Sequence, residues 1–158
     1  MIAMLPGSFD PPTLGHIDII ERSAKMYEKL YVVVSSNIQK NPLFTAQERK
    51  EMLQEILQNH DNIEVVIYDG LVVDFARKHK IKIMIRGVRA LVDFGYEFEL
   101  AMTNKQLYDE LEVLFMPTSP NYFLLRSSAI KELAFYGADI ETMVPPIVAK
   151  NIKERFDA

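Results

Sequence analysis

The sequence predicts an α/β fold in one domain spanning residues 1–158, built on a doubly wound, five-stranded parallel sheet. Helices are expected on both faces, with a helical C-terminus. Three observations lead there. Short apolar runs rich in β-branched residues alternate with stretches of helical periodicity along the whole chain. Two of those runs, Val32-Val33-Val34 and Ile83-Met84-Ile85, are apolar without interruption, as a central strand covered on both faces requires. A chain of 158 residues, 49% hydrophobic and 25% charged, suits one hydrophobic core and argues against disorder.

The strands are read in order at residues 2–5, 30–35, 63–68, 81–85 and 111–116. After the first, Ile17, Ile20, Ala24 and Tyr27 share one helical face while Glu21, Arg22 and Lys25 lie off it. Thr45 with Glu48 three residues on has the capping-box form and opens a second helix carrying Met52, Ile56 and Leu57 inward. A third, shorter helix covers residues 71–78. Asp93 is expected to cap a fourth, whose apolar stripe of Phe94, Phe98, Ala101 and Met102 suits either the core or a subunit contact. Two more helices are expected from about Ser128 and about Pro146. Right-handed crossovers between parallel strands make this arrangement Rossmann-like. No repeat or linker divides it.

Composition excludes several classes. With no cysteine there is neither a disulfide framework nor a thiolate metal site, which permits a reducing cytoplasm, the expected location. The opening apolar run stops at Pro6-Gly7, too short for a secretory core or a membrane span, so no membrane association is expected. A net charge of −4 argues against a nucleic-acid surface. A small anionic ligand needs only a few well-placed cations.

In open α/β sheets, ligands bind beyond the carboxyl ends of the strands. The first strand is followed by Pro6-Gly7-Ser8-Phe9-Asp10-Pro11-Pro12-Thr13-Leu14-Gly15-His16, and the second by Lys40-Asn41-Pro42. The third is followed by Asp69-Gly70-Leu71-Val72, the fourth by Arg86-Gly87-Val88-Arg89, and the fifth by residues 122–128. Three cations, a histidine and a hydroxyl thus converge on one edge, which reads as anion binding. Gly15 allows close backbone approach, and His16 enters the first turn of a helix whose free amides and dipole favour phosphate. Neither a Walker loop nor a Gly-x-Gly-x-x-Gly fingerprint is present, which lowers phosphate-loop ATPases and nicotinamide dehydrogenases.

The segment Pro6-Gly7-Ser8-Phe9-Asp10-Pro11 with Thr13-Leu14-Gly15-His16 resembles the Thr/His-x-Gly-His signature of the nucleotidyltransferase superfamily. Lys40 ahead of Pro42-Leu43-Phe44-Thr45, then Ile85-Arg86-Gly87-Val88-Arg89-Ala90 and Asp93-Phe94-Gly95-Tyr96-Glu97, narrow the resemblance to the phosphopantetheine adenylyltransferases over nearly the whole chain. The resemblance implies transfer of AMP from ATP to 4′-phosphopantetheine, with pyrophosphate released and no covalent intermediate. It implies catalytic roles for His16, Lys40 and Arg89, with His16 stabilising the transition state. ATP would lie along Ser8, Phe9, His16, Gly87, Val88, Arg89, Glu97, Tyr122, Phe123, Leu124, Leu125, Arg126, Ser127 and Ser128. The acceptor would meet Ser8, Lys40, Val72 and Arg86. Mg²⁺ would ride on the ATP phosphates with no dedicated protein ligands, the enzyme would be a homohexamer, and coenzyme A would be a feedback inhibitor. The attacking phosphate is already anionic, so positioning and donors suffice and no strong base is needed.

The chain departs from the family pattern at three places. Ser8 stands where threonine is common, Asn41 where a second lysine is frequent, and Arg126 where a small hydroxyl residue precedes Ser127-Ser128. Plainer readings exist: Ser127 and Ser128 as helix caps, Glu97 as a salt-bridged surface carboxylate, and His60 and His79 as surface groups. Another adenylyl- or cytidylyltransferase would share Gly15-His16 with different loops. A non-catalytic nucleotide-binding module would not need His16 and Lys40 together.

Overall fold

The computed structural model describes residues 1–36 and 41–157. Its strands are β1 (Ile2–Gly7), β2 (Lys29–Ser35), β3 (Ile63–Tyr68), β4 (Ile83–Val88) and β5 (Glu112–Pro117). They form one parallel sheet in the order β3-β2-β1-β4-β5. The order reverses beside β1: the chain winds outward through β2 and β3, then returns to place β4 on the other side. Such a reversal splays the two connections apart and opens a crevice at the carboxyl ends of β1 and β4.

Side-chain alternation assigns the two faces. Ala3, Leu5, Val32, Val34 and Ile85 are buried with Ile17, Ile20 and Ala24 of α1 (Leu14–Ala24) and Leu53 of α2 (Ala46–Ile56). Met4, Val33 and Met84 point the other way, against Val73, Phe75 and Ala76 of α3 (Val72–Lys78). The remaining helices are α4 (Leu91–Leu107), α5 (Ser127–Phe135) and α6 (Pro146–Asp157). Phe44, Met52, Ile130, Val148 and Ile152 form a third cluster, which fastens α5 and α6 to α2. The doubly wound five-stranded sheet is thus as the sequence predicts. Among the described residues no helix is long and apolar enough to cross a membrane.

Element ends differ from expectation for local reasons. The fourth strand runs to Val88, so Arg86 and Gly87 lie within the last turns of pleat and do not follow it. Ile81 and Leu111 serve the preceding helices instead: the Ile81 amide donates to the Ala76 carbonyl and the Leu111 amide to Tyr108. The Thr45 capping box forms as predicted, with Glu48 Oε2 accepting from the Thr45 amide at 2.7 Å. Asp93 does not cap α4. Ala90 holds that position without a side-chain bond, and Asp93 is taken by Arg89 at 3.1 Å. Tyr27 lies beyond the end of α1, though its ring still packs on the core. On α4 only Ala101 of the expected stripe is buried; Phe94, Phe98 and Met102 remain 38–48% exposed, so they are not core in this chain.

Candidate active site

A cavity of about 390 Å³ opens at the reversal point, between the carboxyl ends of β1 and β4. Pro6, Gly7, Ser8 and Phe9 line it from the first strand and loop, Gly15, His16 and Ile19 from α1. Arg86, Gly87 and Arg89 come from β4 and its exit, Glu97 from α4, and Leu125 to Ser128 from the start of α5.

His16 is the third residue of α1, and the helix start fixes its chemistry. Thr13 caps the helix: its Oγ1 accepts from the His16 amide at 3.2 Å, while its own amide donates to His16 Nδ1 at 3.0 Å. An amide can only donate, so Nδ1 must carry a lone pair. A neutral His16 therefore holds its proton on Nε2. The imidazole is kept neutral by burial first, then by the charges of Arg89 and Arg86, which together lower its pKa from 6.5 to about 4. At neutral pH this is an uncharged donor that shares the cavity with two arginines, in the first turn of a helix. The histidine ring is also met edge-on by Phe9 at 5.1 Å between centroids.

Both arginines arrive already oriented. Arg86 makes a bidentate pair with Glu97, Nε to Oε2 at 2.7 Å and Nη2 to Oε1 at 2.8 Å, and its Nη1 donates to the Pro6 carbonyl at 2.7 Å. Three of its five N–H groups are thereby used, leaving two for a ligand. Arg89 is held by Asp93 and by the Leu125 carbonyl at 2.9 Å, which ties β4 to the approach of α5. On that side Ser127 Oγ donates to the Pro11 carbonyl at 2.9 Å, and Arg126, the cap position of α5, makes no capping bond and is exposed. Gly15 packs close to its neighbours: a Cβ there would come into ordinary contact with Thr13 Oγ1 at 3.4 Å and Tyr122 Cβ at 3.6 Å.

Most residues singled out in the sequence thus meet at one cavity: Ser8, Phe9, His16, Arg86, Gly87, Arg89, Glu97, Leu125, Arg126, Ser127 and Ser128. Val88, Tyr122, Phe123, Leu124 and Val72 do not line it. Val88 ends β4, Tyr122 packs against Gly15, Phe123 and Leu124 are exposed, and Val72 opens α3 beside the core. Lys40 lies outside the described residues. His79 is exposed and stacks on Phe75 at 4.2 Å, while His60 is only partly exposed, with Nε2 3.4 Å from Glu21. Sequence reasoning gave no role to Thr13, which sets the imidazole tautomer, nor to the buried pair Asp10 and Arg49. Arg49 could have been noticed, because it shares the inward stripe of α2 with Met52, Leu53 and Ile56.

Comparison with known proteins identifies the family. A family model described as cytidylyltransferase-like matches residues 4–133, which places the chain in the nucleotidyltransferase class. The chain is 47% identical over 154 residues to the phosphopantetheine adenylyltransferase of Dictyoglomus thermophilum, covering 98% of this chain and 94% of that protein. It is 46% identical to that of Caldanaerobacter subterraneus, covering 98% and 97%, and 41% identical to that of Thermotoga neapolitana, covering 99% and 97%. The chain belongs to the phosphopantetheine adenylyltransferase family. A crystal structure of a provisionally named nicotinate-nucleotide adenylyltransferase from Vibrio parahaemolyticus superposes with a TM-score of 0.71 at 17% identity, covering 99% of this chain and 96% of that one. At that identity the likeness speaks for the fold.

Proposed function

We propose that this protein transfers the adenylyl group of ATP to the phosphate of 4′-phosphopantetheine, giving dephospho-coenzyme A and pyrophosphate. The observation that carries the reading is His16, whose Nδ1 accepts from the Thr13 amide, facing a cavity that Arg86 and Arg89 also line. An acceptor phosphate oxygen attacks the α-phosphorus in line, that P–O bond forms, and the bond to the β-phosphate oxygen breaks. The acceptor is already an anion, so no base is required. The difficulty is bringing two anions together and holding the charge of the pentacoordinate transition state.

In this reading His16 Nε2–H donates to the transferring group, where a neutral donor aids without binding ground-state phosphate too tightly. Arg89 and the start of α5, through Arg126, Ser127 and Ser128, hold the ATP phosphates. The two uncommitted N–H groups of Arg86 take the acceptor phosphate, with Ser8 and, by resemblance, Lys40 and Val72. Glu97 contributes by fixing the Arg86 guanidinium. Mg²⁺, when bound with ATP, would supply charge neutralisation on its phosphates. Glu97, which lines the cavity, and Asp93, which pairs with Arg89 beside it, are each engaged by an arginine, which supports a phosphate-borne ion over a protein-held one.

The reading extends to a cytoplasmic homohexamer inhibited by coenzyme A. The exposed apolar face of α4, with Leu91, Val92, Phe98 and Met102, supports self-association, and sedimentation velocity tests it. The test of the reaction is an acceptor screen. Purified protein with ATP and Mg²⁺ is expected to release pyrophosphate with 4′-phosphopantetheine and not with nicotinate mononucleotide. Release with the second acceptor alone rejects the substrate and keeps the class; added coenzyme A is expected to slow the reaction.

A further inference from the structure

Phe9 stands beside the reacting histidine in a conformation it does not choose freely. Its φ is +51°, the left-handed region that is sparsely occupied by residues with a bulky side chain, yet it is 1% exposed and packed edge-on to His16. Gly7 makes room for it, since a Cβ at that position would lie 2.9 Å from the Phe9 ring. A strained residue persists only where its neighbours over-determine it. The neighbours here are Ser8 and Asp10, and each is seized by a buried group.

Arg49, 3% exposed, donates its Nη1 hydrogens to the Ser8 carbonyl at 2.6 Å and the Ser35 carbonyl at 3.0 Å. Its Nε–H is shared between the Phe44 and Thr45 carbonyls at 3.1 and 3.3 Å. Asp10, 1% exposed, accepts from the amides of Leu43 and Phe44, both at 2.9 Å, and pairs with Lys131 of α5 at 3.1 Å. The Phe44 backbone is thus held on both sides of its Cα, its N–H by Asp10 and its C=O by Arg49. These bonds join the β1–α1 loop to the end of β2 and the start of α2, with Phe9 between the two points of attachment. A lysine could reach one or two of these carbonyls but lacks the planar fork that reaches all four.

We propose that Arg49 and Asp10 are positioning residues for adenylyl transfer, forming a buried clasp that holds Phe9 in its left-handed conformation and so sets the imidazole of His16. Neither touches the cavity; they act through Ser8 and Phe9. The proposal rests on the adenylyl-transfer reading for its kinetic test and is independent of it for its spectroscopic one.

The kinetic test is a double-mutant cycle of Arg49→Lys and Phe9→Gly, since glycine adopts a φ of +51° without strain. Arg49→Lys is expected to lower kcat roughly tenfold per folded molecule, counted by ATP-binding stoichiometry, with both KM values within about threefold. In the Phe9→Gly background the same change is expected to cost less than about threefold, because the strain the clasp opposes is gone. Equal losses in the two backgrounds, or a fall in melting temperature with kcat unchanged, would overturn the proposal. Asp10→Asn, which keeps the shape and loses the charge, is expected to act in the same direction and serves if Arg49→Lys does not fold. The second readout needs no substrate. Imidazole ¹⁵N resonances of His16 are expected to shift in Arg49→Lys or Asp10→Asn, and spectra identical to wild type contradict the clasp even if the acceptor screen has failed.

Discussion

Lowering the pH from 7 to 5 puts His16 under a load that can be calculated. In the folded protein burial and the charges of Arg89 and Arg86 hold its pKa at about 4, while in the unfolded chain it titrates near its ordinary 6.5. Between those values the unfolded state takes up a proton that the folded state refuses. Stability from this group is therefore intact above about pH 6.5 and is lost progressively as the pH falls toward 4. At pH 5, about 1.5 below the unfolded value, each unit is worth about 1.4 kcal/mol, so the loss attributable to His16 is about 2 kcal/mol. Other groups titrate in the same range, so the control is His16→Asn, whose side-chain oxygen can still accept the Thr13 amide that Nδ1 now accepts. Urea unfolding at fixed protein concentration is the assay. Wild type is expected to lose about 2 kcal/mol more than the variant between pH 7 and pH 5. The chain has three histidines, so histidine-selective labelling gives three imidazole signals and shows directly which one titrates near 4. An equal pH dependence in both proteins, or a His16 midpoint near 6.5, would refute the burial-and-arginine account.

His16→Ala is expected to lower kcat roughly a hundredfold or more with little change in ATP affinity, measured by pyrophosphate release and by calorimetric titration. Arg86→Ala is expected to raise the KM for 4′-phosphopantetheine at least about tenfold and the KM for ATP by less than about threefold. It also strands the Glu97 carboxylate beside the acceptor phosphate, so adding Glu97→Gln is expected to recover part of the loss; no recovery would mean that repulsion is not involved. Thr45→Ala removes the capping box of α2 and is expected to cost about 1 kcal/mol in urea unfolding, with kcat unchanged.

The fold was legible because its signals are local and repeated. Five apolar runs separated by helical patterns admit few parallel arrangements, and the alternation of Val32, Val33 and Val34 between the two faces follows from pleat geometry alone. The ends were less legible, for a physical reason: a terminal apolar residue serves a strand or a helix cap equally well. Ile81 and Leu111 close α3 and α4 by backbone bonds, which no pattern of side chains announces. Asp93 shows the same limit. It has the chemistry of a cap and a position near the helix start, but Arg89, four residues earlier, competes for it and wins.

The candidate site divides along a similar line. Residues that line the cavity sit at strand ends and helix starts, where the topology rule finds them from sequence order. Residues that hold those in place are chosen by three-dimensional neighbours: Thr13 reaches His16 within one turn, but Arg49 reaches Ser8 across 41 positions and Glu97 reaches Arg86 across 11. Charge shows the difference most clearly. The whole chain carries −4, yet among the described residues the cavity is lined by Arg86, Arg89 and Arg126 against Glu97, an excess there of two positive charges. Global charge governs solubility and long-range encounter, whereas an anion in a partly enclosed cavity responds to groups within a few ångströms, where screening is weak. A phosphate site in an acidic protein is therefore no contradiction, and the acidity elsewhere discourages the nucleic-acid binding that an arginine-lined crevice on a basic protein would invite.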